Sequence, residues 1–387
     1  MNTAHTGLAA DTKGPTMNAT SWIERARRLG PELAEYAARH DEDGTFVVES
    51  LTSLKEDGLY RAIVPADLGG GGAGMRDICE VIRELAHYCG STALAFSMHT
   101  HLVAATRWKY EQGQPGEALL RKVVDNGLVL ISTGAGDWLE SNGTMEKVDG
   151  GYRYTSKKPF ASGSPIGDVM ITSGRYEHPE KGPMVLHFSL PFSTEGVRRG
   201  DDWDTHGMRG SGSNTVHIDG AFIPDASIAL ERARGPWHPA FNVVSTVALP
   251  IFMSAYLGVA ERACELALQS ARPRRDDVNV QYLAGELGNE LFVARTAWNA
   301  IVDNMAELDF KPTIERACVA TEGKTVLAEA CIRTVSKAME LAGGGAFFRK
   351  SGIERLMRDV RGAQYHPLQA KRQHVFTGRA ALGLEPM

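Results

Sequence analysis

The sequence lacks the features that would tie it to a metal, a disulfide framework or a nucleic acid. Its 387 residues carry a formal net charge of −5, so no basic excess is available to displace counterions from nucleic-acid phosphates. It has five cysteines without a C-x-x-C pair, and its 12 histidines include no H-E-x-x-H. These absences argue against a metal site and predict buried thiols in a reducing cytoplasm.

Long apolar runs are also scarce. The most apolar stretch, residues 247–260, contains Pro250 and is shorter than the roughly 20 residues that cross a bilayer. No charged, apolar and small-residue leader opens the chain, and residues 1–18 are small and polar, which predicts a disordered tail. We therefore expect a cytoplasmic protein that binds neither membrane nor nucleic acid.

Hydrophobic periodicity divides the remaining chain into three parts. Residues 19–126 repeat apolar positions at helical spacing. Residues 127–240 change to short β-prone runs separated by Gly, Pro, Asn or Asp. Residues 241–387 return to long helical patterns. The predicted strands cover 128–132, 151–155, 169–173, 184–190 and 214–219, and the predicted long helices cover 243–270, 277–308 and 314–341. This order predicts an α+β multidomain protein.

The stretch 341–367 combines unusual local features. Glycines 343–345 end a long helical pattern and would let a ligand approach the backbone closely. Residues 353–361 place apolar side chains on one face, which predicts a helix packed on one side. Pro367 then disfavours helical backbone at His366 and should end the element. A titratable imidazole is therefore expected at a break in the backbone.

Several segments, taken in chain order, resemble motifs of the acyl-CoA dehydrogenase superfamily. The family's motif is given in parentheses after the segment of this chain that resembles it. In the N-terminal part the segment is 59–65 with the glycine loop 69–72 (V-P-x-x-x-G-G). In the middle part the segments are 132–137 (T-E-P-x-A-G-S-D), 158–163 (K-x-W-I-T-N) and 203–214 with 222–224 (G-M-R-x-S and F-V-P), and in the C-terminal part the segment is 343–345 with Arg355, Arg358 and Asp359 (G-G-x-G and R-D). The resemblance covers nearly the whole chain from about residue 22. It implies an N-terminal all-α domain, a middle β-barrel domain and a C-terminal four-helix bundle, in dimers or tetramers with shared flavin sites.

The same resemblance implies a flavin cofactor, FAD with FMN as the alternative. The implied flavin contacts are Ser132, Thr133, Phe160, Ser162, Gly163, Gln281, Gly343, Gly344 and Gly345. Ser132 and Thr133 would line the pyrimidine side, and Ser162 would offer its hydroxyl to flavin N5 with Phe160 stacked nearby. The glycine turn, with Gln281 from a neighbouring subunit, would hold the adenosine half. The family's arginine in an R-x-x-F-G context has no clean match in residues 272–275, which leaves FAD and FMN open.

The family's catalytic carboxylate is missing from both of its usual positions. Removing the α proton of an acyl-CoA requires such a base, which in the family follows the R-D signature in a Y-E-G sequence. The corresponding position here is Pro367, and the other usual position lies in residues 245–250, which hold no acid. The sequence instead resembles flavin monooxygenases on the same fold, which carry H-P here and a serine at flavin N5.

Three functions stay open on this resemblance. The first is an O2-using monooxygenase, in which reduced flavin forms a C4a-hydroperoxide, acting on an aromatic, heteroatom or CoA-thioester substrate. The second is an FAD-dependent acyl-CoA dehydrogenase with a displaced base. The third is a non-catalytic flavin-binding homologue. Implied partners are a flavin reductase or an electron-transfer flavoprotein.

The candidate catalytic residues are His366, Ser162 and one of His99 and His101. His99 and His101 are two positions apart, so on a helix they point in different directions and at most one should face a given cavity. A histidine with an ordinary pKa could both donate to peroxide and accept a substrate proton at neutral pH, and we expect this of His366.

Overall fold

The structure, a computed structural model, describes residues 19–133 and 139–386. Its elements follow the predicted order of helices, sheet and helices, which confirms the expected fold class. The tail, residues 1–18, and Gly134 to Asp137 of the predicted flavin loop lie outside the described residues.

The N-terminal part is helical. It contains α1 (Ala19–Asp43), α2 (Val48–Glu56), α3 (Met75–Tyr88), α4 (Gly90–Glu111) and α5 (Glu117–Asp125). Every residue of α4 from 90 to 101 is buried, because the helix is apolar or small on all sides and lies between its neighbours and the sheet. The two histidines of α4 are therefore both inside the protein, on different faces of one helix.

The middle part is one eight-stranded sheet. Its strands are β1 (Leu130–Ser132), β2 (Thr144–Val148), β3 (Gly151–Lys158), β4 (Val169–His178), β5 (Gly182–Pro191), β6 (Val197–Arg199), β7 (Val216–Pro224) and β8 (Ile228–Ala233). The hydrogen-bonded order is β6-β7-β3-β2-β4-β5-β8, and β1 pairs in parallel with β4. Strand β5 pairs with β4 and β8, which sets His187 opposite Ser173 and Leu230.

The C-terminal part surrounds one apolar helix. Its helices are α6 (Ala240–Ala271), α7 (Val278–Asn304), α8 (Ile314–Ala342), α9 (Ile353–Val360) and α10 (Ala370–Ala381). Helix α6 contacts α3, α4, α7, α8 and α9. It is longer than residues 247–260 suggested and could span a bilayer by length and composition, but 94% of its most apolar window is buried inside the protein. It is therefore a core helix, and its apolar surface is covered by the surrounding helices.

The chain after α8 follows the predicted breaks. Helix α8 ends at Ala342, and Gly343 takes a φ of +74°, a conformation that favours glycine. After α9 and a 3-10 turn over Arg361–Tyr365, His366 is extended, with φ −65° and ψ 146°. The extended backbone at His366 is the effect expected of a following proline.

The R-D pair of α9 anchors this segment to the other domains. The Arg358 guanidinium donates to both carboxylate oxygens of Asp41 in α1, at 2.8 and 2.6 Å. The backbone N–H of Met208 donates to the Asp359 carboxylate at 2.5 Å. These contacts fix the position of α9, and hence of His366 seven residues beyond Asp359.

Candidate active site

A cavity of about 730 Å³ lies where the three parts of the chain meet. Helix α4, the sheet, the 203–208 loop, helix α6 and residues 358–367 all contribute to its wall. Of the predicted site residues, six line it: His101, Ser132, Thr133, Phe160, Ser162 and His366. The structure therefore brings together residues that are up to 265 positions apart in the sequence.

The other predicted residues do not line this cavity. Gly163 follows Ser162 with a φ of +77° and is not one of the lining residues. Gln281 is exposed at the start of α7, where its side-chain amide donates to the Arg275 carbonyl at 3.0 Å. Glycines 343–345 are on the surface after α8. The turn that contains Arg274 contacts the end of α8, because the Arg274 guanidinium donates to the Leu341 carbonyl.

His99 is held away from the cavity by both of its ring nitrogens. The Leu130 N–H donates to Nδ1 at 3.1 Å, so the proton of the neutral ring must be on Nε2, which donates to the Tyr60 carbonyl at 2.9 Å. Burial lowers the pKa of His99 to about 4. His99 thus connects α4 to β1 and to the chain before α3, and His101 is the histidine of α4 that faces the cavity.

His101 is a buried neutral imidazole. Its Nδ1 donates to the Ser97 carbonyl at 3.1 Å, which leaves Nε2 as an acceptor. Burial lowers the pKa of His101 to about 4. At neutral pH this residue can accept a hydrogen bond from a molecule in the cavity, but it carries no charge.

His366 is held by contacts to the ring and to the backbone. The hydroxyl of Tyr256 in α6 lies 2.7 Å from its Nε2, and the ring stacks on Phe252 with centroids 4.5 Å apart. The ammonium group of Lys324 donates to the His366 carbonyl at 2.9 Å and to the Leu368 carbonyl at 3.2 Å. Three side chains from helices α6 and α8 therefore fix the position of this imidazole.

These surroundings change the protonation expected of His366. Burial, together with the positive charge of Lys324, lowers the pKa of His366 to about 3. The expectation of an ordinary pKa is therefore wrong: the ring is neutral at physiological pH because the sequence does not show the distant lysine beside it. Burial also keeps the Tyr256 pKa far above its usual range, so the phenol stays protonated.

The hydrogen bond between Tyr256 and His366 indicates a tautomer. Within residues 19–133 and 139–386, the Tyr256 hydroxyl has no other hydrogen-bond partner. The arrangement that uses its proton is donation to Nε2, which places the imidazole proton on Nδ1. His366 then presents an N–H donor from Nδ1, on the opposite edge of the ring.

A row of hydroxyl groups lines the sheet side of the cavity. The Ser162 and Ser213 hydroxyls are 2.7 Å apart, and Ser213 is also 2.7 Å from the hydroxyl of Ser211, which is not itself a lining residue. The Thr133 and Thr172 hydroxyls are 3.2 Å apart. Such groups can serve the polar edge of a heteroaromatic ring.

Two aromatic side chains stand beside these hydroxyls. The rings of Phe160 and Trp203 meet edge to face at 5.9 Å, and Phe160 is 53% exposed. An aromatic face that is open to a cavity can receive a planar ring. Together with the hydroxyl row, the described wall has the groups that a flavin ring requires.

No carboxylate lines the cavity in the described part of the chain. Asp137 lies outside that part. The titratable residues of the wall are instead four histidines, two tyrosines and two arginines: His101, His187, His206, His366, Tyr256, Tyr365, Arg358 and Arg361. The structure therefore agrees with the sequence in showing no acid at either usual position of the base.

Two family models match the sequence on either side of the middle domain. The model of the acyl-CoA dehydrogenase N-terminal domain matches residues 24–126, and that of the acyl-CoA dehydrogenase C-terminal domain matches residues 251–370. The chain belongs to the acyl-CoA dehydrogenase superfamily. Membership confirms the resemblance predicted from the motifs.

Similar members of the superfamily have different activities. The chain is 26% identical to the dibenzothiophene monooxygenase of Mycolicibacterium goodii over 387 residues, covering 89% of each protein. It is 23% identical to the cyclohex-1-ene-1-carbonyl-CoA dehydrogenase of Geobacter metallireducens over 369 residues, covering 91% of this chain and 94% of that protein.

A solved structure adds a ligand-bound neighbour. KijD3 in complex with FMN and dTDP-3-amino-2,3,6-trideoxy-4-keto-3-methyl-D-glucose matches with a TM-score of 0.86 and 26% identity, covering 96% of each chain. The chain is therefore an oxidoreductase of a flavin-using superfamily, as the sequence predicted.

Sequence reasoning missed His187, Trp203, Tyr256 and Lys324. Tyr256 had a detectable signal, because it is a polar group inside the most apolar run of the chain. His187 lies within a predicted strand, but alternation alone does not tell whether its face borders a cavity. Lys324 gave no signal, since a lysine on a helix is usually exposed.

Proposed function

We propose that the protein is an O2-using monooxygenase that binds a reduced flavin in this cavity. The observation that carries the proposal is a wall with neutral imidazoles and hydroxyls and without a carboxylate among the described residues. When bound, reduced flavin supplies the two electrons with which one atom of O2 enters the substrate and the other leaves as water. A similar monooxygenase in the superfamily supports the proposal.

The residues present would have distinct tasks in this reaction. Ser132, Thr133 and Ser162 would bind the polar edge of the ring, with Phe160 beside it. The Nδ1–H of His366 would donate to oxygen bound near the ring, and Tyr256 holds that proton in place. Because His366 is neutral, it offers a donor that does not depend on pH across the physiological range.

The cavity wall favours an apolar and uncharged substrate. Much of the wall is aliphatic or aromatic, contributed by Leu94, Met98, Leu102, Ala105, Ile171, Phe241, Val244, Ala248, Leu249 and Phe252. Without a carboxylate in the described wall, a cationic substrate would have no counter-charge there. An aromatic or heteroatom-containing substrate without a positive charge therefore fits better than a cationic one.

FMN is the cofactor that we propose in preference to the FAD expected from the sequence. A solved structure of similar fold contains FMN. The arginine-rich segment 272–275, which contacts the end of α8 through Arg274, does not match the superfamily's adenosine-binding arginine motif. Titrating the protein with each flavin tests this choice, and a clearly lower Kd for FAD would reverse it.

We also propose a dimer or tetramer that is served by a separate flavin reductase. Exposed apolar side chains cluster at the start of α7 and after the glycine turn: Val278, Tyr282, Phe347 and Phe348. Exposed apolar side chains of this kind support the proposal of an interface between subunits. Sedimentation at several concentrations would measure the state of association, and a monomer at micromolar concentration would contradict this part.

Isotope labelling tests the reaction itself. The protein is mixed with photoreduced FMN, 18O2 and a panel of uncharged aromatic thioethers, phenols and indoles. One 18O atom in the product supports the proposal. Anaerobic bleaching of bound oxidised flavin by acyl-CoA esters would instead indicate dehydrogenation, and neither outcome across both panels would indicate a non-catalytic homologue.

The His366→Ala variant tests the role of the imidazole. We expect it to bind flavin as the native protein does but to lose hydroxylation, because the variant removes the positioned Nδ1–H donor. Flavin fluorescence measures binding, and the yield of labelled product measures oxygenation. An unchanged product yield would remove His366 from the mechanism.

A further inference from the structure

A second imidazole in the cavity wall has a proton position that the structure determines. His187 of β5 contributes to the wall. The guanidinium Nε–H of Arg232 in β8 donates to His187 Nε2 at 3.0 Å. Arginine has no acceptor, so Nε2 must carry the lone pair and the proton of the neutral ring must be on Nδ1. Unlike a bond to a hydroxyl, this contact permits one tautomer.

The arginine behind His187 is firmly placed. Arg232 is 3% exposed, and its guanidinium also donates to the carbonyls of Leu139 at 2.5 Å and Ala233 at 3.2 Å. It lies over the ring of Phe241, 4.8 Å from the centroid, and Phe241 is itself part of the wall. The sheet register then keeps His187 and Arg232 on neighbouring strands.

The surroundings of His187 are positively polarised. Burial lowers the pKa of His187 to about 3, and the positive charges of Arg232, His238, Lys109 and Lys158 contribute to that shift. Arg232 stays charged at neutral pH, since burial lowers its pKa only to about 10. A neutral ring whose Nε2 accepts from a cation is a stronger donor at its other nitrogen. Nδ1 has no hydrogen-bond partner among residues 19–133 and 139–386.

We propose that His187 and Arg232 form a subsite that binds an acceptor oxygen of an otherwise apolar, uncharged substrate through the Nδ1–H of His187. Phe241 would cover the apolar part of the same molecule. The chemical class is therefore an aromatic ketone, ether, sulfoxide or phenol rather than a hydrocarbon or an amine cation. The inference rests on the proposed function only in taking this cavity as the substrate site.

The binding test uses two probes that differ in one acceptor. These are 1-indanone and indane, measured by calorimetry on the full-length protein without flavin or under nitrogen. One neutral hydrogen bond predicts that 1-indanone binds about three- to tenfold more tightly than indane. Because no turnover is involved, the result does not depend on whether the protein is a monooxygenase.

Matched variants connect this preference to His187. In His187→Leu the Kd of indane divided by that of 1-indanone should fall to about one, while indane still binds. The His187→Asn variant should restore part of the preference for 1-indanone, because its side-chain amide can donate from a similar position. His178→Leu, which removes an imidazole at the end of β4 away from the wall, should keep the native ratio. A native ratio in His187→Leu, or no measurable binding of either probe to the native protein, would overturn the proposal.

The tautomer provides an independent readout. In ligand-free protein labelled with 15N-histidine, the His187 signals should show a protonated Nδ1 and an unprotonated Nε2 at pH 7, and His187→Asn assigns them. A protonated Nε2 would mean that the contact with Arg232 is not formed, and the subsite would be rejected.

Discussion

Replacing Tyr256 by phenylalanine removes one hydroxyl and keeps the ring. The side chain is 1% exposed and its ring meets that of His366 edge to face at 5.4 Å, so phenylalanine fits the same space. The change leaves Nε2 of His366 without its hydrogen-bond partner. Leaving a buried polar atom unpaired costs about 1–3 kcal/mol, with the lower end expected here because the imidazole can change tautomer or admit water.

The functional effect follows from that tautomer. Without a donor at Nε2, the proton can move to Nε2, and the fraction of His366 with a donor on Nδ1 falls. A difference of about 1.4 kcal/mol is tenfold in such an equilibrium. We therefore expect about a tenfold lower yield of hydroxylated product per O2 consumed, with the balance recovered as hydrogen peroxide, and an FMN Kd within twofold of the native value.

The assay combines product chromatography, a peroxidase-coupled peroxide measurement and flavin fluorescence. Tyr152→Phe is the matched control, since Tyr152 is a half-buried tyrosine of β3 that contacts Tyr176 and does not line the cavity. A native product yield in Tyr256→Phe would refute the positioning role. An equal loss in the control would show that the effect is not specific to the contact with His366.

Two further predictions concern stability. His101 has a pKa of about 4 in the folded protein against 6.5 in the unfolded chain, so below pH 6.5 the unfolded state binds the proton first and the native protein loses stability as pH falls. Compared with His101→Asn, the native protein should lose at most about 1.4 kcal/mol of its free energy of unfolding per pH unit between pH 6.5 and 4. Urea unfolding at pH 7 and 5 measures this loss, and the same pH dependence in both proteins would contradict the prediction. The Glu307 carboxylate accepts hydrogen bonds from the N–H groups of Met75 and Arg76 at the start of α3, at 2.5 and 2.9 Å. Because Glu307→Gln removes the negative charge at this helix end, it should lower the free energy of unfolding by about 1 kcal/mol. The exposed control Asp303→Asn should change it by less than about 0.5 kcal/mol, and equal urea midpoints for the two variants would contradict the capping role.

The long helices could be predicted from sequence because their apolar periodicity persists over many turns. The pattern at 314–341 corresponds to α8, Ile314–Ala342, and the pattern at 243–270 to α6, Ala240–Ala271. Strands β2, β6 and β8 were missed. Each is short or largely exposed, so few of its side chains carry the alternating apolar signal: β2 buries Met145 alone, and β6 buries no residue fully.

The candidate site was predictable where one segment carries its own motif. Ser132, Thr133, Ser162 and His366 each lie in a segment that resembles a superfamily motif, and all four line one cavity. The chemical state of His366 was not predictable, because it depends on side chains that meet only in the folded protein. A pKa depends on such non-local contacts, and periodicity and motifs do not report them.

The position of His366 also explains how one fold can accommodate different reactions at the same place. Arg358 and Asp359 fix α9 through Asp41 and the Met208 N–H, and neither contact involves the residues that follow. The anchored end of α9 therefore places the start of residues 362–367 at the cavity wall, and contacts from α6 and α8 then hold His366 there. Under the proposed function, a His-Pro pair in place of the acid of the dehydrogenases changes the proton chemistry of the wall without changing this anchor. We therefore propose that residues 362–367, with the α6 residues that line the cavity, determine the reaction type.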